Sequence, residues 1–202
     1  MKNLQIILAD LEPALVQAWH ASFDGQEGVS MVQGDITQIA CDAVVSPANS
    51  FGFMDGGLDY ALSVRFGWEL EKRLQQQIKA LPMGELLVGQ ALVLETGDDT
   101  VPYLVSAPTM RVPTNFNIDT SVNAYLAMKA ILLTVLHDKR IKSIVIPGLC
   151  TGVGRMLPAI AAQQMFIAYE EVILGKRMDF ATFGESQKYQ LGINPTGMIW
   201  TH

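Results

Sequence analysis

Lys142-Ser143-Ile144-Val145-Ile146-Pro147-Gly148-Leu149-Cys150-Thr151-Gly152-Val153-Gly154-Arg155 decides the fold class of this chain. An apolar, β-branched run enters a turn carrying Gly148, Gly152 and Gly154, and Pro158 then opens an apolar stretch reaching about residue 174. That order reads as a strand, a bare turn and a helix with proline in its first turn. The glycines leave backbone amides uncovered, and the helix start adds free N–H groups and the positive end of the dipole. Such a loop favours an anion, and a diphosphate is its natural guest. No Lys-Ser or Lys-Thr pair follows the glycines, and the spacing is not G-x-G-x-x-G, so neither common nucleotide fingerprint applies. A tight connection using glycine for geometry alone would look the same.

A second unit of the same kind starts at Ala43-Val44-Val45, a run suited to a strand buried on both faces. It enters Ser46-Pro47-Ala48-Asn49-Ser50-Phe51-Gly52-Phe53-Met54-Asp55-Gly56-Gly57-Leu58-Asp59, and a helix is expected from about Leu58 to Leu81. Asn49 offers a donor and an acceptor in one amide, which suits a pair of sugar hydroxyls; asparagine in a loop also commonly bonds its own backbone. Gly56 and Gly57 allow close backbone approach. Asp59 stands either as an acid favoured by the helix dipole or as a carboxylate that orients or activates a water beside a sugar. Gly34-Asp35-Ile36-Thr37 is similarly open: Asp35 caps a turn, or accepts hydrogen bonds from an exocyclic amine such as adenine N6.

Further strands are expected near residues 4–8, 29–32, 90–95 and 103–107, and helices near 12–23 and 121–137. Strands alternating with helices imply a mixed, mostly parallel sheet covered on both faces. In such sheets ligands bind beyond the carboxyl ends of the strands, so loops 49–59 and 147–155 should share one edge. The 202 residues fit a single domain, with a strand–helix extension over about 1–29 and an irregular tail over about 175–202. Half the residues are hydrophobic and 17% are charged, which excludes extensive disorder. A net charge of −6 argues against a broad nucleic-acid surface, though not against a small anion held by amides. No apolar run reaches the ~18 residues that span a bilayer, and the N-terminus lacks the long apolar core of a signal peptide. A cytoplasmic protein without a membrane partner is expected. Two cysteines and three histidines, none of the latter near the glycine loops, point away from a metal site. Cys150 reads as a small buried thiol, and Trp19 and Trp68 read as core.

Taken in order, Gly34-Asp35-Ile36-Thr37, Asp42-Ala43-Val44-Val45-Ser46-Pro47-Ala48-Asn49-Ser50, Gly56-Gly57-Leu58-Asp59 and Pro147-Gly148-Leu149-Cys150-Thr151-Gly152-Val153-Gly154 resemble the macrodomain family over roughly residues 30 to 175. The resemblance implies a three-layer α/β/α fold that binds ADP-ribose, free or on an ADP-ribosylated macromolecule. Asp35 would read adenine N6, with the Ile36 amide beside it. Asn49, Gly56 and Gly57 would meet the distal ribose, and Thr151, Gly152, Val153 and Gly154 the diphosphate, with Arg155 able to approach a phosphate. Asp59 aligns with the aspartate of the hydrolytic branch, which removes mono-ADP-ribose from acidic side chains or deacetylates O-acetyl-ADP-ribose without a metal or cofactor. Asn49 and Asp59 are therefore the catalytic candidates. A binding module without turnover and an ADP-ribose 1″-phosphate phosphatase are the other readings of this pocket. The chain departs from the family at Phe51-Gly52-Phe53-Met54-Asp55, where hydrolytic members carry a longer glycine run, and at Gly152-Val153-Gly154-Arg155-Met156, which lacks a common aromatic. The family's usual last strand is not evident. Phe180, Phe183 and Tyr189 are candidates for an adenine platform, or else for ordinary core packing.

Overall fold

Side chains alternate between the faces of a strand, so a buried run such as Ala43-Val44-Val45 must feed two cores at once. The computed structural model describes residues 4–176 and 178–196. Six strands form one sheet: β1 (Gln5–Asp10), β2 (Val29–Gln33), β3 (Ala43–Ser46), β4 (Leu92–Glu95), β5 (Tyr103–Ser106) and β6 (Ser143–Ile146). Their order is β2-β1-β6-β3-β5-β4, parallel throughout except for β4, which runs antiparallel to β5. The helices are α1 (Pro13–Phe23), α2 (Gly57–Phe66), α3 (Glu69–Lys79), α4 (Asn123–His137), α5 (Pro158–Val172) and α6 (Phe183–Ile193).

Ile144 and Ile146 of β6, with Ala43 and Val45 of β3, enter a core completed by Leu15 and Trp19 of α1 and by α4 and α5. Val145, Val44 and Leu104 enter the opposite core, closed by Leu62 of α2 and by Leu70, Leu74 and Ile78 of α3. This is the expected three-layer α/β/α arrangement. Among the described residues, no helix is long and apolar enough to cross a membrane.

Three expectations need correction. The helix expected over 58–81 is two helices, because Gly67 ends α2 with a φ of +86° and turns the chain before α3. Trp68, at that break, is 44% exposed and packs edge-on against Tyr60 at 5.9 Å rather than joining the core. Trp19 is fully buried, as expected. The tail is not wholly irregular. Glycines 184 and 192 read as breakers, yet Thr182 caps α6 by accepting from the Glu185 amide at 3.3 Å, and Glu185 accepts from the Ala181 amide at 2.8 Å. Glu171 of α5 docks this helix: it accepts from Tyr189, from Tyr125 at 2.9 Å and from Lys129 at 2.5 Å.

The N-terminal strand is internal to the sheet. β1 lies between β2 and β6, pairing Ile6 with both Val29 and Ile144. Among the described residues no strand follows β6.

Candidate active site

A cavity of about 470 Å³ opens over the carboxyl ends of β1, β6 and β3, within the range typical of small-molecule sites. Loops 49–59 and 147–155 both contribute to its wall, as the topology required.

The loop after β6 is shaped by contacts that only glycine allows. A Cβ on Gly148 would lie 2.4 Å from Leu15 Cδ2 and 2.4 Å from Thr151 Oγ1. One on Gly154 would lie 2.6 Å from the Cys150 carbonyl. Cys150 and Arg155 take positive φ values of 69° and 52°, a costly conformation for residues with side chains. The turn is closed by Arg155 N donating to the Gly152 carbonyl and Met156 N to the Cys150 carbonyl, both at 3.0 Å. At Gly152 a Cβ would meet nothing within 4 Å, so the backbone there is open to an incoming group. Segment 115–121 braces the loop from outside: Ile118 N donates to the Gly154 carbonyl at 2.9 Å, and Asp119 accepts from Leu157 N at 2.9 Å. Burial pushes the Cys150 thiol up to about 12, so it is a poor nucleophile near neutral pH.

The loop after β3 is held from three directions. Asn49 Oδ1 accepts from Phe51 N at 3.1 Å and Phe53 N at 3.3 Å, while its Nδ2 donates to the Phe53 carbonyl at 2.8 Å. The departure at Met54 has a structural reason. Its side chain is fully buried, its amide donates to Glu71 at 2.6 Å, and its carbonyl accepts from Ser63 at 3.0 Å. A plugged methionine thus does the ordering, and Gly57, at φ +56°, starts α2 with open space above it. Asp59, in the first turn of α2, is 8% exposed and accepts from Ser46 Oγ at 2.5 Å. Burial raises its carboxyl to about 6; the Ser46 hydrogen bond opposes that shift, and the charges of Asp55 and Glu71 add to it. A carboxylate of that kind exchanges protons near neutral pH.

The wall brings together Asn49, Gly56, Gly57 and Asp59 on the β3 side with Thr151, Gly152, Val153 and Gly154 on the β6 side. It does not include Asp35, Ile36 or Arg155. Asp35 Oδ1 accepts from its own Thr37, from the amide at 2.8 Å and the hydroxyl at 2.7 Å, capping the short 3₁₀ turn Ile36–Gln38. Ile36 is buried in the α2–α3 core. Arg155 points to the Asn115 carbonyl at 3.5 Å. Phe180 and Tyr189 pair with each other at 5.5 Å, and neither they nor Phe183 reach the wall. Asp10, Glu12 and Leu15 do line the cavity, and none was singled out from the sequence. Their signal was present: an apolar strand, Asp10, then Pro13 opening a helix, which repeats the strand–turn–helix unit of the other two loops. Among the described residues no cluster of His, Cys, Asp and Glu is placed to hold a metal ion.

The Macro domain family profile matches residues 45–165. An Aquifex aeolicus protein is 33% identical over 138 residues, covering 68% of this chain and 78% of its own. An Escherichia fergusonii protein named O-acetyl-ADP-ribose deacetylase is 30% identical over 137 residues, covering 67% and 74%. Among solved structures, the Oceanobacillus iheyensis macrodomain with ADP superposes with a TM-score of 0.59 at 22% identity, covering 78% of this chain and 88% of that one. The chain belongs to the macro domain family.

Proposed function

We propose that the protein binds ADP-ribose across the sheet edge and hydrolyses mono-ADP-ribosyl or O-acetyl-ADP-ribose adducts at the distal ribose. The observation that carries this reading is Asp59, a buried carboxylate in the wall of a cavity that also holds a bare glycine loop. The named activity of the Escherichia fergusonii relative and the ADP of the Oceanobacillus iheyensis structure support it. The amides of residues 151–154 take the diphosphate over β6. The distal ribose then falls over β3, against Gly56 and Gly57, with the second Nδ2 hydrogen of Asn49 as a donor to a hydroxyl. Ionised Asp59 takes a proton from water. The water oxygen bonds to the C1″ carbon of a glycosyl ester, or to the acyl carbon of an acetyl ester, as the bond to the departing oxygen breaks. The proton passes from Asp59 to that oxygen. One water is consumed, and ADP-ribose and a carboxylic acid are left.

A binding module without turnover is the second reading, favoured by Asn49, whose amide is largely taken up by its own loop. Calorimetric titration with ADP-ribose, ADP and AMP, followed by turnover assays on a mono-ADP-ribosylated protein, separates the two. Asp59→Ala should abolish turnover and leave ADP-ribose affinity within about tenfold. Unchanged turnover in that variant removes the catalytic role, and absence of turnover in the unmodified protein leaves the binding module.

A further inference from the structure

The cavity wall is charged in one sense only. Among the described residues it carries four carboxylates, Asp10, Glu12, Asp55 and Asp59, and no lysine, arginine or histidine. A diphosphate over β6 is therefore met by backbone amides rather than by cationic side chains. The carboxylates divide between the two ends of the cavity. Asp10 and Glu12 lie between β1 and α1, while Asp55 and Asp59 stand at the amino end of α2, beyond β3. Asp55 is exposed. Met54, immediately before it, is fully buried and held at both its amide and its carbonyl, which fixes the backbone from which Asp55 stands.

We infer that Asp55 makes the distal end of the cavity selective for adducts that are uncharged at C1″, and that it turns away ADP-ribose 1″-phosphate. The inference rests on the distal ribose lying over β3, as proposed above. A glycosyl ester or an acetyl ester places no charge there, whereas a phosphomonoester brings close to two negative charges above neutral pH. The amino end of α2, where Gly56 supplies no side-chain cap, attracts an anion with about half a unit of positive charge. Two full carboxylates at the same end outweigh it. The charge of Asp55 is felt there, since it adds to the upward shift of the Asp59 carboxyl. Asp59 belongs to the proposed proton transfer, so Asp55 is the group through which selectivity is set apart from the chemistry.

The test compares ADP-ribose with ADP-ribose 1″-phosphate by calorimetry on the full chain at about pH 8, where the phosphate is a dianion. The unmodified protein should bind the phosphate about tenfold more weakly. Asp55→Asn keeps the shape and removes the charge, so it should narrow that ratio about threefold or more. Asp99→Asn, an equal change of charge on an exposed residue outside the wall, should leave the ratio as it is. Raising salt from about 0.05 M to about 0.5 M should also narrow the ratio in the unmodified protein, because repulsion is screened and bulk at C1″ is not. Thermal melts confirm that both variants fold; if Asp55→Asn does not, the salt series decides alone. A ratio near one in the unmodified protein, or one unmoved by Asp55→Asn or by salt, overturns the inference. Failure of the unmodified protein to bind ADP-ribose at all overturns the reading on which it rests.

Discussion

Asp59 is held against its own solvation. Its carboxyl titrates near 6 in the folded chain against an ordinary 3.8, so the folded state binds more protons than the unfolded one across that window. Stability therefore falls as pH rises through the window, and the full penalty persists above it. Asp59→Asn should make the protein more stable than the unmodified chain at about pH 8, by roughly 2–3 kcal/mol, with the gap closing by about pH 4. Urea melts at both pH values check this, and an equal gap at both would mean that burial is not the cause. The nearby Ser46 hydroxyl favours the ionised form. Ser46→Ala should move the acid limb of turnover, or the Asp59 carboxyl titration followed by NMR, to higher pH. An unmoved limb would show that the hydroxyl only fills space.

The glycine loop and the methionine-plugged loop show two ways of ordering a turn. After β6, backbone passes so close to backbone that no side chain fits at residue 154. Gly154→Ala should therefore displace the turn, weakening ADP-ribose by tenfold or more and destabilising the fold by about 1–3 kcal/mol; calorimetry and thermal melts read the two effects. After β3, ordering comes from side chains instead. Leu74 and Ile78 of α3 lie so near Gly52 that a Cβ there would sit 2.9 Å from each, and Glu71 of the same helix holds the Met54 amide. The break at Gly67 matters here, because a straight helix from residue 57 could not bring α3 back beneath the loop that precedes α2.

In the whole molecule, the first and last described segments both reach the site. β1 stands inside the sheet, so residues before the family-like segment supply both core and cavity wall. At the other end Asn194, 1% exposed, donates to the Ser121 carbonyl at 2.8 Å and to the Asp119 carbonyl. Asp119 in turn accepts from the amide of Leu157, the residue before α5, beside the glycine loop. Asn194→Ala removes the amide donor from both carbonyls, leaving the Ser121 carbonyl to Gln164 and the Asp119 carbonyl to Thr196, a loss of about 1 kcal/mol. It should also lower ADP-ribose affinity severalfold although Asn194 lies outside the cavity wall. Calorimetry on the variant decides, and unchanged affinity would uncouple the tail from the site.

The order of strands and helices, the two glycine loops and the meeting of Asn49, Asp59 and residues 151–154 were legible in the sequence. Each rests on local pattern: alternation, capping, the missing Cβ, and the rule that parallel strands gather their carboxyl ends on one edge. That Glu12 lines the cavity and Asp35 does not was decided only by tertiary structure, because both follow a strand and both cap a turn. So were the insertion of β1 between β2 and β6 and the elevated titration of Asp59. Strand neighbours, burial and field come from segments far apart in the chain, and no local pattern encodes them.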